Sequence, residues 1–297
     1  MTLTDTLCRI ARRQTHNLAS LALGVQAFPD GLTAPHRLAH FIAQAMQESG
    51  GGVYDREIWG PTPAQSGYEG RADLGNIRPG DGYLFRGVGP FQITGRANVT
   101  RFWRWCGTLA GMPTVPDFTA DPGQILTDPW EGLSAVWFWH FGTGMDLGTL
   151  ADANNIEMIT RRINGGLNGF DQRLAWYAKA ALVLLGYAPD DVRGFQRDQG
   201  FTVGNQDGIA GPMTRTAMHA ALVKLAPLTF PAPTFAPAPV VDQKPAQSDP
   251  QPGTFIPAPA APVAPVMAKA PPAQNLINLL LALLHDLATA LTKRTAR

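Results

Sequence analysis

The chain has 297 residues, of which 45% are hydrophobic and only 16% charged, with a formal net charge of +1. That length allows one sizeable domain with smaller pieces, or two domains. The near-neutral charge gives a nucleic acid nothing to bind by electrostatics, and a neutral or zwitterionic substrate fits better.

Met1 to Arg13 carries Asp5, Arg9, Arg12 and Arg13, which interrupt any apolar run of signal-peptide length. The expectation is a protein made in the cytoplasm. If its substrate lies beyond the inner membrane, another agent must release it. Cys8 and Cys106 cannot build a disulfide framework, and no Cys/His spacing matches a zinc site. They are read as buried free thiols, and no metal or cofactor is expected.

Residues 1 to about 187 read as predominantly helical. Pro35 to Glu48 is the clearest helix, with Thr33 as candidate N-cap and Leu38, Phe41, Ile42 and Ala45 at helical spacing. It stops at Ser49-Gly50-Gly51-Gly52. Residues 49–100 are rich in glycine and poor in periodicity, which predicts loops and a short hairpin around Phe85 to Ile93. Asp128-Pro129-Trp130-Glu131 has the form of a capping box opening a Trp-rich helix to Phe141. Asp171 could cap a further helix whose Leu174, Ala178, Ala181, Leu182 and Leu185 share a face.

From Ala226 to Ala273 proline and alanine dominate, which predicts an extended linker without chemistry. Leu276 to Leu291 is apolar but interrupted by His285 and Asp286. It is too short for a confident membrane span and reads as an amphipathic helix for a membrane surface or a partner helix.

The first candidate for chemistry is Glu48. It lies ten residues after Leu38 on the apolar face of its helix and at the negative end of the helix dipole. Burial and the dipole both favour the neutral acid, as a general acid near neutrality requires. A second carboxylate would be needed to activate water, and Asp55, Glu57 and Glu69 compete for that place.

Several segments resemble glycoside hydrolase family 19. Gln47-Glu48-Ser49-Gly50-Gly51 is similar to its His-Glu-[Ser/Thr]-Gly-Gly segment. Phe85-Arg86-Gly87-Val88-Gly89-Pro90-Phe91-Gln92-Ile93-Thr94, followed by Asn98, is similar to its Tyr-Arg-Gly-Arg-Gly-x-x-Gln-[Leu/Ile]-[Ser/Thr] segment. Ile163-Asn164-Gly165-Gly166 and Asp171-Gln172-Arg173 resemble its late Ile-Asn-Gly-Gly and Asp-x-Arg motifs. Arg56-Glu57-Ile58-Trp59-Gly60 with Tyr68 to Asn76 is similar to phage- and prophage-type members. The resemblance spans roughly residues 35–185.

It implies a mainly α, lysozyme-like fold and an inverting mechanism on β-1,4-linked N-acetylhexosamine polymers. By resemblance Glu48 is the general acid and Glu57 the base that matches best. Thr94 holds the attacking water, and Gln92, Asn98 and Asn164 line the sugar cleft. Arg173 orders the catalytic carboxylates, and Glu69 remains the alternative base or a substrate contact. Amide side chains suit N-acetyl and hydroxyl groups through paired donors and acceptors.

Three positions depart from the pattern. Gln47 replaces a His, and Phe85 replaces a Tyr that would bring a hydroxyl to the cleft. Asn168 stands where plant-type members carry a Glu, which leaves an ion-pair triad through Arg173 without that member.

Phe195-Gln196 and Asp207-Gly208-Ile209-Ala210-Gly211-Pro212-Met213-Thr214 are similar to signatures of small three-helix peptidoglycan-binding domains, here short enough to have lost the first helix. The expected organisation is a catalytic domain over 1–187, a peptidoglycan-binding-like module over 188–225, a linker over 226–274 and an amphipathic helix over 275–297. The function expected is an endolysin-type hydrolase acting on the cell wall after release, with peptidoglycan strands as partner. A chitinase acting on chitin oligomers and a non-catalytic wall-binding, particle-associated protein are the alternatives. Glu48→Gln is expected to remove lysis while leaving the melting temperature within a few degrees.

Overall fold

A computed structural model describes residues 1–60 and 62–235. The rest of the expected linker and the helix expected over 275–297 lie outside the described residues. Twelve α-helices occur in the described part. The first six are α1 Leu3–Ala11, α2 His16–Ala27, α3 Pro35–Glu48, α4 Pro63–Ser66, α5 Asp81–Leu84 and α6 Arg96–Cys106. They are followed by α7 Trp130–Trp137, α8 Gly148–Asp152, α9 Ile156–Asn164, α10 Phe170–Leu184, α11 Val192–Asp198 and α12 Pro212–Val223. The mainly helical expectation is met. No helix among the described residues is long and apolar enough to cross a membrane.

The α3 helix has the bounds that its sequence predicts. Pro35 stands in its first turn, where a missing N–H costs nothing, and Leu38, Phe41, Ile42 and Ala45 are all fully buried. Its N-cap is Ala34, without a side-chain bond, and not Thr33, whose carbonyl instead accepts from the Leu228 amide. The helix ends because Ser49 turns its hydroxyl back to the Ala45 carbonyl at 2.7 Å and accepts from Gly52 N–H at 2.9 Å. Glu48 is thereby left on the last turn, at the edge of the core.

Two apolar clusters hold the molecule together. The larger joins α1, α2, α3, α9 and α10 and takes in Val192, Phe195, Met218 and Leu222 from α11 and α12. The smaller is aromatic, built from Phe85, Phe102, Phe118, Trp130 and Trp137 around α6 and α7. The burial expected on one face of α10 is wider than its stripe. Tyr177, Ala180 and Val183 are buried too, because α1, α3, α9, α11 and α12 all pack around that helix. Asp171 lies in its first turn, and the N-cap is Gly169.

The Asp128–Glu131 segment does not form the expected capping box. The N-cap of α7 is Pro129, without a side-chain bond, and the Asp128–Pro129 peptide is cis. The helix continues into a π turn over Phe138–Gly142. The expected hairpin around Phe85 to Ile93 is reduced to isolated antiparallel bridges, Val88 with Ile93 and Val88 with Arg56.

Helices α2 and α7 cross at backbone contact. A Cβ built on Gly132 would fall on the carbonyl oxygen of Ser20, and one on Gly24 would fall on the Gly132 carbonyl. Backbone atoms cannot rotate away as a side chain can. Gly132→Ala is therefore expected to destabilise the fold by about 3 kcal/mol, despite the better helix propensity of alanine. Urea denaturation reads this directly, and an unchanged midpoint would refute the close crossing.

The segment resembling a wall-binding module shows why its motif residues occur together. Buried Gln196 donates from Nε2 to Asp207 Oδ1 at 2.9 Å, Ile209 O at 3.1 Å and Thr214 Oγ1 at 3.1 Å, and accepts from Gly208 N–H at 2.9 Å. One amide side chain ties the Phe-Gln pair to the Asp-Gly turn and to the first turn of α12. Two α-helices and a short 3-10 turn, Val203–Asn205, make up this part, without a third α-helix. Leu228 and Phe230, at the start of the Pro/Ala-rich stretch, pack on the main core.

Candidate active site

Glu48 is held from the opposite side of the core. Arg173, from the first turn of α10, donates through Nη2 to Glu48 Oε1 at 2.6 Å, with the two side chains 2% and 3% exposed. Its Nη1 donates to Gln44 Oε1, and Gln44 Nε2 donates to Thr160 Oγ1 at 3.3 Å. Gln44 lies one helical turn before Glu48 on α3. The line Thr160–Gln44–Arg173–Glu48 thus ties α9, α3 and α10 together below the carboxylate.

The Glu48 carboxylate thus sits at the end of α3, almost wholly buried, against a guanidinium. Of the two carboxylates that the resemblance has Arg173 order, it sits on Glu48. Where plant-type members carry Glu, this chain has exposed Asn168, and Gln44 is the second partner of Arg173.

Nine residues on, Glu57 sits on the loop that follows α3. Its backbone N–H donates to Gly87 O at 2.8 Å, and the neighbouring Gly89 N–H donates to Asp55 O. The loop therefore lies against the Phe85–Ile93 turn. Three donors meet its carboxylate: Gln65 Nε2 at 3.0 Å and Tyr68 Oη at 3.4 Å on Oε1, and Gly87 N–H at 3.1 Å on Oε2. Burial first, and then the charge of Glu57, push the Tyr68 phenol well above its ordinary pKa, so it remains a donor.

Glu69 is placed differently. Its two oxygens accept from Gly80 N–H at 2.7 Å and Gly82 N–H at 2.8 Å, at the start of α5, so it braces a turn. Asn76 extends this bracing. Its Nδ2 donates to Tyr68 O, and its Oδ1 accepts from the Arg96 amide at the start of α6.

The other expected residues form a short chain on the Phe85–Cys106 segment. Gln92, in a left-handed conformation, donates to Gly89 O at 2.9 Å, and Thr94 Oγ1 donates to Gln92 O at 3.0 Å. Asn98 Nδ2 donates to Thr94 O at 2.9 Å. Asn164 ends α9 and is buried, and its Oδ1 has no hydrogen-bond partner among the described residues. Phe85 is fully buried, with the Arg96 guanidinium 4.3 Å from its ring centre.

Sequence reasoning missed Gln44, Gln65 and Glu131. Gln44 was discernible as the residue four before Glu48. Gln65 was discernible from Thr62-Pro63-Ala64-Gln65, which forms a true capping box with proline in the first turn. Glu131 had no such signal. Its side chain is 0% exposed, with Ser20 as its hydrogen-bonding neighbour and His16 Nε2 3.7 Å from Oε2. Burial, then Asp55 and Asp128, push its pKa up to about 7. No group of three or more His, Cys, Asp or Glu among the described residues could hold a metal ion.

Over 110 residues the chain is 36% identical to a "Glycosyl hydrolase family 19 domain-containing protein" of Haemophilus influenzae. The shared stretch is 37% of this chain and 48% of the relative, so the chain spans about half the relative's length. No family model matches the chain. Among solved structures, a bacterial family 19 chitinase aligns with a TM-score of 0.49 at 19% identity, covering 63% of this chain and 96% of that one. Chitinase C from Streptomyces griseus HUT6037 aligns with a TM-score of 0.49 at 17% identity, covering 63% and 78%.

Proposed function

We propose that this chain is an endolysin-type glycoside hydrolase with a lysozyme-like catalytic domain. It cleaves β-1,4 bonds of peptidoglycan with inversion at the anomeric carbon and acts after release from the cytoplasm. The observation that carries this reading is the unequal environment of two carboxylates nine residues apart. Glu48 is sequestered beside an arginine, while Glu57 is held as an acceptor by three donors. Family 19 kinship over 110 residues supports it.

In this mechanism Glu48 gives a proton to the glycosidic oxygen as the bond breaks. Glu57 takes a proton from a water that attacks the sugar from the opposite face. Thr94, whose hydroxyl donates to Gln92 O, keeps oxygen lone pairs with which to hold that water. Gln92, Asn98 and Asn164 serve the N-acetyl and hydroxyl groups, and the bare acceptor of Asn164 suits a sugar donor.

Peptidoglycan is favoured over chitin by the Gln196-stapled motif, which is similar to peptidoglycan-binding signatures. Zymography on purified sacculi and on colloidal chitin separates the two substrates. Clearing of sacculi is expected, and clearing of chitin alone would defeat the peptidoglycan assignment.

A further inference from the structure

We infer that Gln65 is the residue that positions Glu57 for catalysis, a role that rests on Glu57 being the base. Its side chain is buried, and all four of its hydrogen-bonding places are filled. Nε2 donates to Glu57 Oε1 at 3.0 Å and to Ile58 O at 2.7 Å. Oε1 accepts from Thr62 N–H at 2.8 Å and from Gly60 N–H at 3.2 Å.

One amide thus ties Ile58, Gly60 and Thr62 together and aims a donor at the carboxylate. Its backbone is fixed in turn, because Gln65 N–H donates to the Thr62 hydroxyl at 3.2 Å as the last member of the α4 capping box. Without the amide, Glu57 would keep Tyr68 and Gly87 N–H but lose its shortest contact, and Oε1 could swing. A carboxylate that must accept a proton from one water in one direction tolerates little such motion. Gln65 touches no reacting atom in this scheme; it acts through Glu57.

The orientation of the amide makes the role testable. Gln65→Glu replaces Nε2 with oxygen at 3.0 Å from Glu57 Oε1, and two carboxylates that close retain a shared proton to higher pH. Tyr68 is the other titratable group facing Glu57, and it stays protonated. The acidic limb of kcat/KM is expected to move up by about one pH unit or more. Gln65→Met, which removes the donor without adding charge, should move the limb the same way by less. It guards against misfolding of the first variant. Thr62→Ala weakens the cap but leaves the amide on Glu57, so it should lower the melting temperature and leave the limb in place.

The assay uses the full chain with sacculi or a chitin hexamer, whichever the wild type cleaves, and includes Glu57→Gln. Glu57→Gln inactive together with a shifted limb in the Gln65 variants is the expected result. A uniform loss at every pH in both Gln65 variants would reduce Gln65 to a structural residue and overturn the proposal, with the base assignment intact. Full activity in Glu57→Gln would overturn the base assignment itself, and the role of Gln65 with it.

Discussion

Glu48→Gln is expected to lower kcat/KM by about 10²–10⁴-fold, the contribution of a well-placed general acid. The sequence by itself adds that stability should hardly change, and the structure revises that second part. Glu48 and Arg173 are both almost wholly buried, so the variant leaves a guanidinium without its countercharge. Breaking a buried pair from one side costs about 3–5 kcal/mol. The glutamine oxygen can still accept from Nη2, which places this variant towards the lower end. Chemical denaturation of Glu48→Gln, Arg173→Met and the double variant tests this. The double variant should lose less than the sum of the singles, since it leaves no lone charge behind. Undiminished lysis by Glu48→Gln would end the mechanism proposed above.

The second large effect concerns pH and stability. Glu131 is a buried acid whose folded pKa, about 7, lies above its ordinary value of 4.5. A raised acid contributes its stability fully below the unfolded pKa and loses it as pH rises through the folded one. The window is therefore about pH 4.5 to 7. At about 1.4 kcal/mol per unit the loss is on the order of 3 kcal/mol. Glu131→Gln keeps the shape and removes the titration, so it should gain on the wild type progressively from pH 5 to pH 8. Denaturation midpoints of the pair at each pH decide the matter, and parallel curves would show that Glu131 does not titrate in that range.

His40 acts with the opposite sign. Burial first, then His219, lower its pKa from 6.5 to about 3. Its contribution is present above pH 6.5 and is lost as pH falls towards 3. The two residues oppose each other between about pH 4.5 and 6.5, which is why variant and wild type must be compared at the same pH.

Much of the site could be read from the sequence, and the limits of that reading have a common origin. The bounds and buried face of α3, the end of that helix at Ser49 and hence the place of Glu48 all follow from interactions within a turn or two. Proline in the first turn, apolar spacing and a glycine run determine them, whatever surrounds the helix. The capping box that contains Gln65 was equally local. The Asp128–Glu131 segment misled because α7 packs against α2 and Glu131 is drawn into the core, away from any N-cap.

What the sequence by itself determined was where each helix of this kind starts, stops and buries its face, and which short motifs stand in which order. Only the tertiary structure decided the partners. Arg173 reaches Glu48 across 125 residues of chain, Gln44 takes the place beside it, and Glu69 is diverted to the amides of α5. Local preferences are settled by backbone sterics and nearest neighbours. The company of a buried charge depends on which helices pack around it, and that is determined only once α3, α9 and α10 have closed on one another. So it is with Glu48, whose position could be read locally and whose chemistry depends on an arginine brought from α10.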